Sequence, residues 1–419
     1  MWVATFPFSI SSWVCPKISW KRGRKIMRRI IDNPNDKGAW REMLHFGPTI
    51  LAKPKRGGAN RNLSNVIIKR VVAWDEKNRT THSEQCLDRG YSKRTTDDSR
   101  LAAAITRKLE AGNFRAAIRL ICSSESPAPI NPETLQALRA KHPESVTDRR
   151  TTCDPKGHPL FAPLQISQDE VTKVLRTFPQ GSSGGPDGIT PQHIIDLLTG
   201  ATDDSLIQSI TDLSNLLLAG SFDNEINSII YGGRLIALSK KDGGIRPIAV
   251  GYTLRRIAAK CANNHVIARR SQVLQPQQLG VGISGGAEAA VHAVRKLVQN
   301  LPPGHDIVKL DFSNAFNSIR RDLILDAIAS KIPEIYCLVH AAFSCNPSLT
   351  FGEYLISSQE GAQQGDPLGS LEFCEAIHSL LLDLQSSVKL GFIDDLTLYG
   401  EWHTVEKDVS TITQASSVT

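Results

Sequence analysis

Two adjacent aspartates, Asp394 and Asp395, lie in the middle of an otherwise apolar stretch, VKLGFIDDLTLY at residues 388–399. The apolar residues on each side are typical of β-strands, so the sequence predicts a hairpin with both carboxylates near its turn. Neighbouring carboxylates repel each other unless a cation lies between them. If the hairpin packs on a core, the pair indicates a metal site or a strongly raised pKa. The alternative is an exposed turn in which aspartate is an ordinary turn residue.

A third carboxylate, Asp311, directly follows the segment DIVKL at residues 306–310, which is predicted to form a strand. A strand end holds a side chain rigidly above a sheet, although an aspartate in this position is most often a turn residue or a helix cap. Asp311 and Asp394 are 83 residues apart, which leaves room for two helices and a hairpin between neighbouring strands, as in a split β-α-β unit. The three aspartates could then hold two divalent cations about 4 Å apart, an arrangement used for phosphoryl transfer.

Two further segments place polar side chains next to turns. Short apolar runs at residues 234–240 and 245–250 flank the turn KDGG, and this predicted hairpin carries Lys240, Lys241 and Arg246. The segment EGAQQGDPLG at residues 360–369 contains three glycines, which allow its backbone to approach a flat ligand. Gln364 in this segment could hydrogen-bond a sugar or a base edge. The alternative is an ordinary loop that enters the next helix.

Positive charge is concentrated at the N-terminus. Residues 1–70 carry 15 Lys and Arg against three acidic residues, a net charge of +12, whereas the whole chain has a net charge of +7. Because Lys and Arg replace the counterions condensed on nucleic acid, this segment could contact a phosphate backbone. The alternative is a solvated, poorly ordered basic tail.

Stretches rich in Ser, Pro and Gly divide the chain, and its 419 residues suffice for two or three domains. The sequence predicts a basic N-terminal region over 1–100, a helical segment with a linker over 101–155, and a third region over 156–419. No stretch of about 20 apolar residues predicts a membrane span. The eight cysteines are scattered without a Cys-x-x-Cys pair, which favours reduced thiols and an intracellular location, nuclear or cytoplasmic or both.

Four motifs follow one another along the chain: KKDGGIRP, Asp311 with Phe316, QGDP at residues 364–367, and FIDD at residues 392–395. The phrases around them include GGPDGITPQHI, KLDFSNAFNSI and GAQQGDPLGSLEFCEAIHSLL. In their order and in their residues, these motifs resemble those of the reverse transcriptases of LINE-type (non-LTR) retrotransposons. The resemblance covers roughly residues 160–400.

The resemblance implies an α+β fold with the fingers and palm of a right-hand polymerase, a palm sheet of the split β-α-β kind, and the activity of an RNA-directed DNA polymerase. Asp311, Asp394 and Asp395 are similar to the catalytic aspartates of that palm, which bind two Mg²⁺ ions. One ion would lower the pKa of the primer 3′-hydroxyl, and the other would hold the triphosphate and stabilise the leaving pyrophosphate. The implied partners are an RNA template, a DNA primer and deoxynucleoside triphosphates.

The same resemblance implies roles for the substrate-binding residues. Lys240, Lys241 and Arg246 resemble the fingers residues that hold the triphosphate, a task suited to the Arg fork and the mobile Lys charge. Phe316 falls where the family has an aromatic residue beneath the sugar, whose ring would collide with a ribose 2′-hydroxyl. Gln364 falls where the family places a glutamine against the incoming nucleotide.

The sequence departs from the family pattern in two respects. The chain ends 24 residues after Asp395, so the resemblance implies an incomplete copy without the last palm segments and the thumb. Glu372 and Glu375 place acids in a helix that the family usually makes more apolar, and a buried unpaired carboxylate there would cost several kcal/mol if it is not protonated.

Two other functions stay open at this point. A non-enzymatic remnant of such a polymerase would keep the Lys and Arg contacts to nucleic acid without extending a primer. A two-metal nuclease would explain the carboxylates but would leave Gln364, Phe316 and the basic hairpin without a role. The sequence does not specify the oligomeric state.

Overall fold

The computed structural model describes residues 15–50, 69–74, 97–110, 112–122, 126–145, 154–156, 158–199 and 204–418. In these residues the chain forms α-helices and two β-sheets, so the predicted mixture of helix and sheet is confirmed. Within this described part of the chain, no helix combines the length and the hydropathy that crossing a membrane requires.

The helices are named in chain order. They are α1 (Cys15–Asp32), α2 (Lys37–Ile50), α3 (Asp97–Glu110), α4 (Phe114–Cys122), α5 (Pro132–Ala140), α6 (Gln168–Arg176), α7 (Pro191–Thr199), α8 (Ser205–Ala219), α9 (Asn224–Ile230), α10 (Thr253–Leu274), α11 (Gly286–Gln299), α12 (Ala315–Ser318), α13 (Arg321–Lys331), α14 (Tyr336–Phe343), α15 (Gly369–Asp383) and α16 (Trp402–Val418).

The strands are named in the same way. They are β1 (Ser126–Pro127), β2 (Gly233–Ser239), β3 (Ile245–Gly251), β4 (His305–Asp311), β5 (Ser348–Phe351), β6 (Tyr354–Ser357), β7 (Val388–Phe392) and β8 (Asp395–Glu401).

The first sheet is built around β2. Strand β3 pairs with β2 in antiparallel register from Gly233 opposite Gly251 to Ser239 opposite Ile245, so the predicted basic hairpin is confirmed. Strands β1 and β5 pair with β2 as well, β5 in parallel, and β6 continues the sheet beyond β5. The buried residues of this sheet form a small core with Leu135 and Leu138 of α5.

The second sheet has the order β4-β8-β7. Strand β8 is antiparallel to both neighbours, so β4 and β7 run parallel to each other on either side of it, as in the split β-α-β unit expected from the sequence. One face of the sheet is apolar, because alternate residues of a strand point to the same side. On that face Leu396 and Leu398 pack against Leu381 of α15 and Val405 of α16.

The helices near the N-terminus belong to the largest hydrophobic core. Ile26, Met27 and Ile30 of α1 are fully buried in the same cluster as Leu213 of α8 and Ile257 of α10. Their spacing gives α1 one apolar face, which burial against other helices stabilises. The alternative of a solvated, poorly ordered tail is therefore wrong for this part of the basic segment.

The basic side chains of α1 lie on its other face, where Lys21, Lys25 and Arg28 are exposed. Packing also joins parts of the three predicted regions, because α1 and α2 contact the large core and β1 pairs with β2. The boundaries near residues 100 and 155 stay predictions.

Candidate active site

The second sheet places two of the predicted carboxylates side by side. Asp311, the last residue of β4, lies directly opposite Asp395, the first residue of β8, so both side chains start from the same face. The preceding Leu310 and the following Leu396 point to the other face and contribute to the apolar core there. The alternation of apolar and acidic residues thus leaves the carboxylates on the open face of the sheet.

Asp394 lies in the turn that joins β7 to β8. Burial raises the pKa of its carboxyl, repulsion from Asp395 and then from Asp311 raises the pKa further, and the positive charge of Arg246 lowers the pKa. The structure therefore brings all three predicted carboxylates and one residue of the basic hairpin within electrostatic reach of each other. Crowded negative charge of this kind favours a bound cation.

A lysine that sequence reasoning missed contacts this group. Lys309 Nζ lies 2.8 Å from Asp395 Oδ1, and this hydrogen bond is the main reason why the pKa of Lys309 is raised. Lys309 precedes Asp311 by two residues on the same strand, which is the signal that could have placed it on the acidic face. Its side chain is 66% exposed, so its ammonium group can leave Asp395 when another cation approaches.

The carboxylates do not form a closed metal cage. Among the residues that the structure describes, no three His, Cys, Asp or Glu side chains lie close enough together to hold a metal ion. The donor set nevertheless suits Mg²⁺, which uses one or two carboxylates and completes its coordination with water and substrate phosphates. The assignment of Asp311, Asp394 and Asp395 as metal ligands stays a prediction.

A buried arginine, Arg321, holds the loop that carries Gln364. Arg321 is fully buried, and its guanidinium donates to the carbonyl oxygens of Gly361 (3.0 Å) and Ser358 (2.9 Å). The backbone N–H of Arg321 donates to the Glu360 carboxylate at 2.9 Å. Sequence reasoning missed this arginine, because its partners lie 37 to 40 residues further along the chain.

Gln364 itself lies against the basic hairpin. Its backbone carbonyl oxygen accepts a hydrogen bond from the backbone N–H of Ala249 in β3 at 2.8 Å. Gly365 follows with a φ of 115°, and a Cβ at this position would lie 2.5 Å from the Ala249 oxygen. Glycine is therefore required where the loop touches β3. Lys240 and Lys241 are exposed at the far end of the hairpin.

Phe316 lies in the short helix α12, which follows Asp311. Its half-buried ring stacks on Phe373 of α15, with centroids 5.2 Å apart and planes 15° from parallel. The chain turns into α12 at Asn314, whose φ of 58° is left-handed. The ring thus packs against the largest hydrophobic core, and its role beneath a sugar stays a prediction.

Comparison with known proteins identifies the region that contains these residues. Residues 238–416 match the sequence profile of the family described as "Reverse transcriptase (RNA-dependent DNA polymerase)". This part of the chain is therefore similar to reverse transcriptases. All eight predicted site residues lie in the matched range.

The chain is also similar to "Retrotransposable element SLACS 132 kDa protein" of Trypanosoma brucei gambiense, with 26% identity over 290 residues. This alignment covers 66% of the chain and 24% of that protein, so the chain spans only a part of its relative. Together the two findings confirm the resemblance to reverse transcriptases of non-LTR retrotransposons.

The matched region accommodates the two unusual glutamates of α15 in different ways. Glu375 is fully buried and accepts two hydrogen bonds from Arg270, at 2.7 and 2.9 Å, so the cost of a buried unpaired carboxylate does not arise at this residue. Glu372 is also buried, and burial raises the pKa of its carboxyl to about 7, although the charges of Arg255 and Arg321 oppose the shift.

A second buried arginine connects the Gln364 loop to α10. Arg255 forms an ion pair with Asp366 and donates to the side-chain oxygen of Gln363 at 3.1 Å. Burial lowers the pKa of Arg255 to about 10, which leaves it charged at neutral pH. The loop is therefore held by Arg255, by Arg321 and by the edge of β3.

Proposed function

We propose that this chain works as an RNA-directed DNA polymerase of a non-LTR retrotransposon, extending a DNA primer on an RNA template with deoxynucleoside triphosphates. The observation that carries the proposal is the pairing of Asp311 with Asp395 in the register of β4 and β8, next to Asp394 in the turn, with the charge of Arg246 acting on Asp394. A polymerase needs negative charge for its metal ions and positive charge for the triphosphate at adjacent positions. A simple turn or helix cap would need neither.

In this proposal the β4-β8-β7 sheet is the palm and the β2-β3 hairpin belongs to the fingers. Support comes from the register, which puts Asp311 and Asp395 on one face, and from the hydrogen bond that joins the Gln364 loop to β3. The two sheets would then border a cleft in which template, primer and nucleotide meet.

Asp311, Asp394 and Asp395 would hold two Mg²⁺ ions, which supply charge neutralisation at the triphosphate and a lowered pKa at the primer 3′-hydroxyl. Lys309 would move away from Asp395 on loading, since its exposed ammonium is a competing cation. Arg246 can offer two parallel N–H groups to phosphate oxygens. The positive charge of Arg246 lowers the pKa of Asp394, which supports a position of Arg246 near the aspartates.

Three more residues complete the substrate site in this proposal. Lys240 and Lys241, exposed on the hairpin, would contact the outer phosphates. Phe316 would lie under the sugar, held in place by its stacking on Phe373. Gln364 would face the incoming nucleotide from a loop whose backbone is fixed to β3.

The test is primer extension on an RNA template with Mg²⁺, using the wild-type chain and the variants Asp394→Asn and Asp383→Asn. Asp383 is an exposed carboxylate at the end of α15, outside the site. We expect Asp394→Asn to reduce the rate by orders of magnitude, because the variant loses charge stabilisation in the transition state, and Asp383→Asn to extend like the wild type. Extension that survives Asp394→Asn would overturn the proposal.

A further inference from the structure

The turn that carries Asp394 has an unusual backbone. Ile393, the first of its two residues, has a φ of 60°. This left-handed conformation is strained for a residue other than glycine, and a β-branched side chain is especially disfavoured there. Two-residue hairpin turns that need a positive φ at this position usually use glycine. Something outside the hairpin must therefore hold Ile393.

The side chain of Gln278 makes the contacts that hold it. Its Oε1 accepts a hydrogen bond from the backbone N–H of Ile393 at 2.6 Å, and its Nε2 donates to the carbonyl oxygen of Ile393 at 3.1 Å. The same Oε1 accepts from the N–H of Gly280 at 3.0 Å, which fixes the amide from its own side. Gln278 is 1% exposed, so water does not compete for these bonds.

The surrounding backbone is shaped for this contact. The N–H of Gly391 donates to the Gln277 carbonyl at 2.7 Å, and the N–H of Leu279 donates to the Gly391 carbonyl at 2.8 Å. A Cβ on Gly391 would lie 2.9 Å from Gln278 Nε2, and a Cβ on Gly280 would lie 2.7 Å from Ile393 N. Side chains at these two positions would displace the amide from the turn.

We propose that Gln278 is a positioning residue for Asp394: its amide holds the Ile393 peptide groups in the left-handed turn and so sets the direction of the next carboxylate. The inference rests on the proposed role of Asp394 as a metal ligand. Without the amide, Ile393 relaxes toward a negative φ, and the turn swings Asp394 away from Asp311. Ligand displacements of about 1 Å are enough to reduce rates about 100-fold.

The experiment measures binding of Mn²⁺ alone to the full chain by electron paramagnetic resonance, together with the Mg²⁺ dependence of primer extension. The variants are Gln278→Ala and Gln278→Glu, with Gln277→Ala as the matched control, since the contact of Gln277 with the hairpin comes from its backbone oxygen. We expect Gln278→Ala to weaken Mn²⁺ binding at least 10-fold and to raise the Mg²⁺ requirement. Gln278→Glu, which keeps the acceptor but loses the donor, should give a smaller loss.

A second-site change distinguishes positioning from general packing. Glycine adopts a φ of about 60° without strain. Ile393→Gly should therefore restore much of the Mn²⁺ affinity in the Gln278→Ala background, even though it removes further side-chain contacts. If the double variant binds Mn²⁺ no better than Gln278→Ala, Gln278 acts through packing and the inference is wrong.

Two outcomes separate this inference from the proposed function. If Gln278→Ala binds Mn²⁺ like the wild type while Asp394→Asn does not, Gln278 has no positioning role and the metal assignment stands. If Asp394→Asn binds Mn²⁺ like the wild type, the metal assignment itself fails. Thermal unfolding of each variant identifies any that does not fold, in which case Gln278→Glu carries the test.

Discussion

Two glutamates on one helix have opposite surroundings although both are buried. Glu375 faces the guanidinium of Arg270, which donates two hydrogen bonds to its carboxylate. The charges of Arg255 and Arg321 lower the pKa of Glu372, but burial has the larger effect and raises its pKa to about 7. The charged form is thus compensated at one position and penalised at the other, three residues away.

We expect Glu372→Gln to stabilise the protein in alkaline but not in acidic solution. The folded-state pKa of about 7 lies above the ordinary value of 4.5, so Glu372 contributes stability that is fully present below pH 4.5 and is lost as the pH rises through 7. The loss amounts to at most about 3 kcal/mol. Denaturant unfolding should give the Glu372→Gln variant a higher free energy of unfolding than the wild type at pH 8 and an equal one at about pH 4.

Glu375→Gln serves as the matched comparison on the same helix. It should lower the free energy of unfolding by about 3–5 kcal/mol, because the change leaves the buried charge of Arg270 without its partner. Similar effects of the two substitutions at pH 8 would show that the ion pair does not distinguish the two positions.

At the scale of single elements, the sequence predicted what local patterns determine. The β2-β3 hairpin agrees with the predicted segment, because alternation and turn residues are local properties. The hairpin with the aspartates at its turn follows from the same kind of pattern.

Contacts between distant elements could not be predicted in this way. Gln278 and Ile393 are 115 residues apart, and Arg270 and Glu375 are 105 residues apart. The residues next to a buried glutamine or arginine in the sequence do not indicate which distant group it will hydrogen-bond. The pair of Lys309 and Asp395 belongs to an intermediate class, since it follows once the register of β4 and β8 is known.

The contact between the Gln364 loop and β3 gives a prediction at this scale. We expect Gly365→Ala to weaken deoxynucleoside triphosphate binding at least 10-fold, because the new Cβ would lie 2.5 Å from the Ala249 oxygen and would force the loop off the strand. Gly304→Ala is the control, since Gly304 also has a positive φ, 79°, but no atom within 4 Å of its Cβ position. Titration of both variants with a fluorescent nucleotide checks this; equal affinities would contradict the assigned position of Gln364.

At the scale of the whole molecule, the site depends on one core that joins distant parts of the chain. The large cluster includes Ile30 of α1 and Phe46 of α2 together with Leu371 and Phe373 of α15. Helix α15 in turn packs under the sheet that carries the aspartates, through Leu381. The basic N-terminal helices therefore belong to the core on which α15 packs, and α15 supports the sheet with the aspartates. The charge pattern of the sequence did not indicate this structural role.

This arrangement predicts that a cavity created by a substitution in α1 destabilises the β4-β8-β7 sheet, which carries the aspartates. Ile30 is fully buried, so Ile30→Ala should lower the free energy of unfolding by about 2–4 kcal/mol. Hydrogen exchange read by mass spectrometry should then show faster exchange in peptides from α1 and from β8 together, since both depend on the same core. Val291→Ala, at a position 49% exposed on α11, should change neither. Faster exchange confined to residues 15–50 would mean that the N-terminal helices unfold on their own and do not support the site.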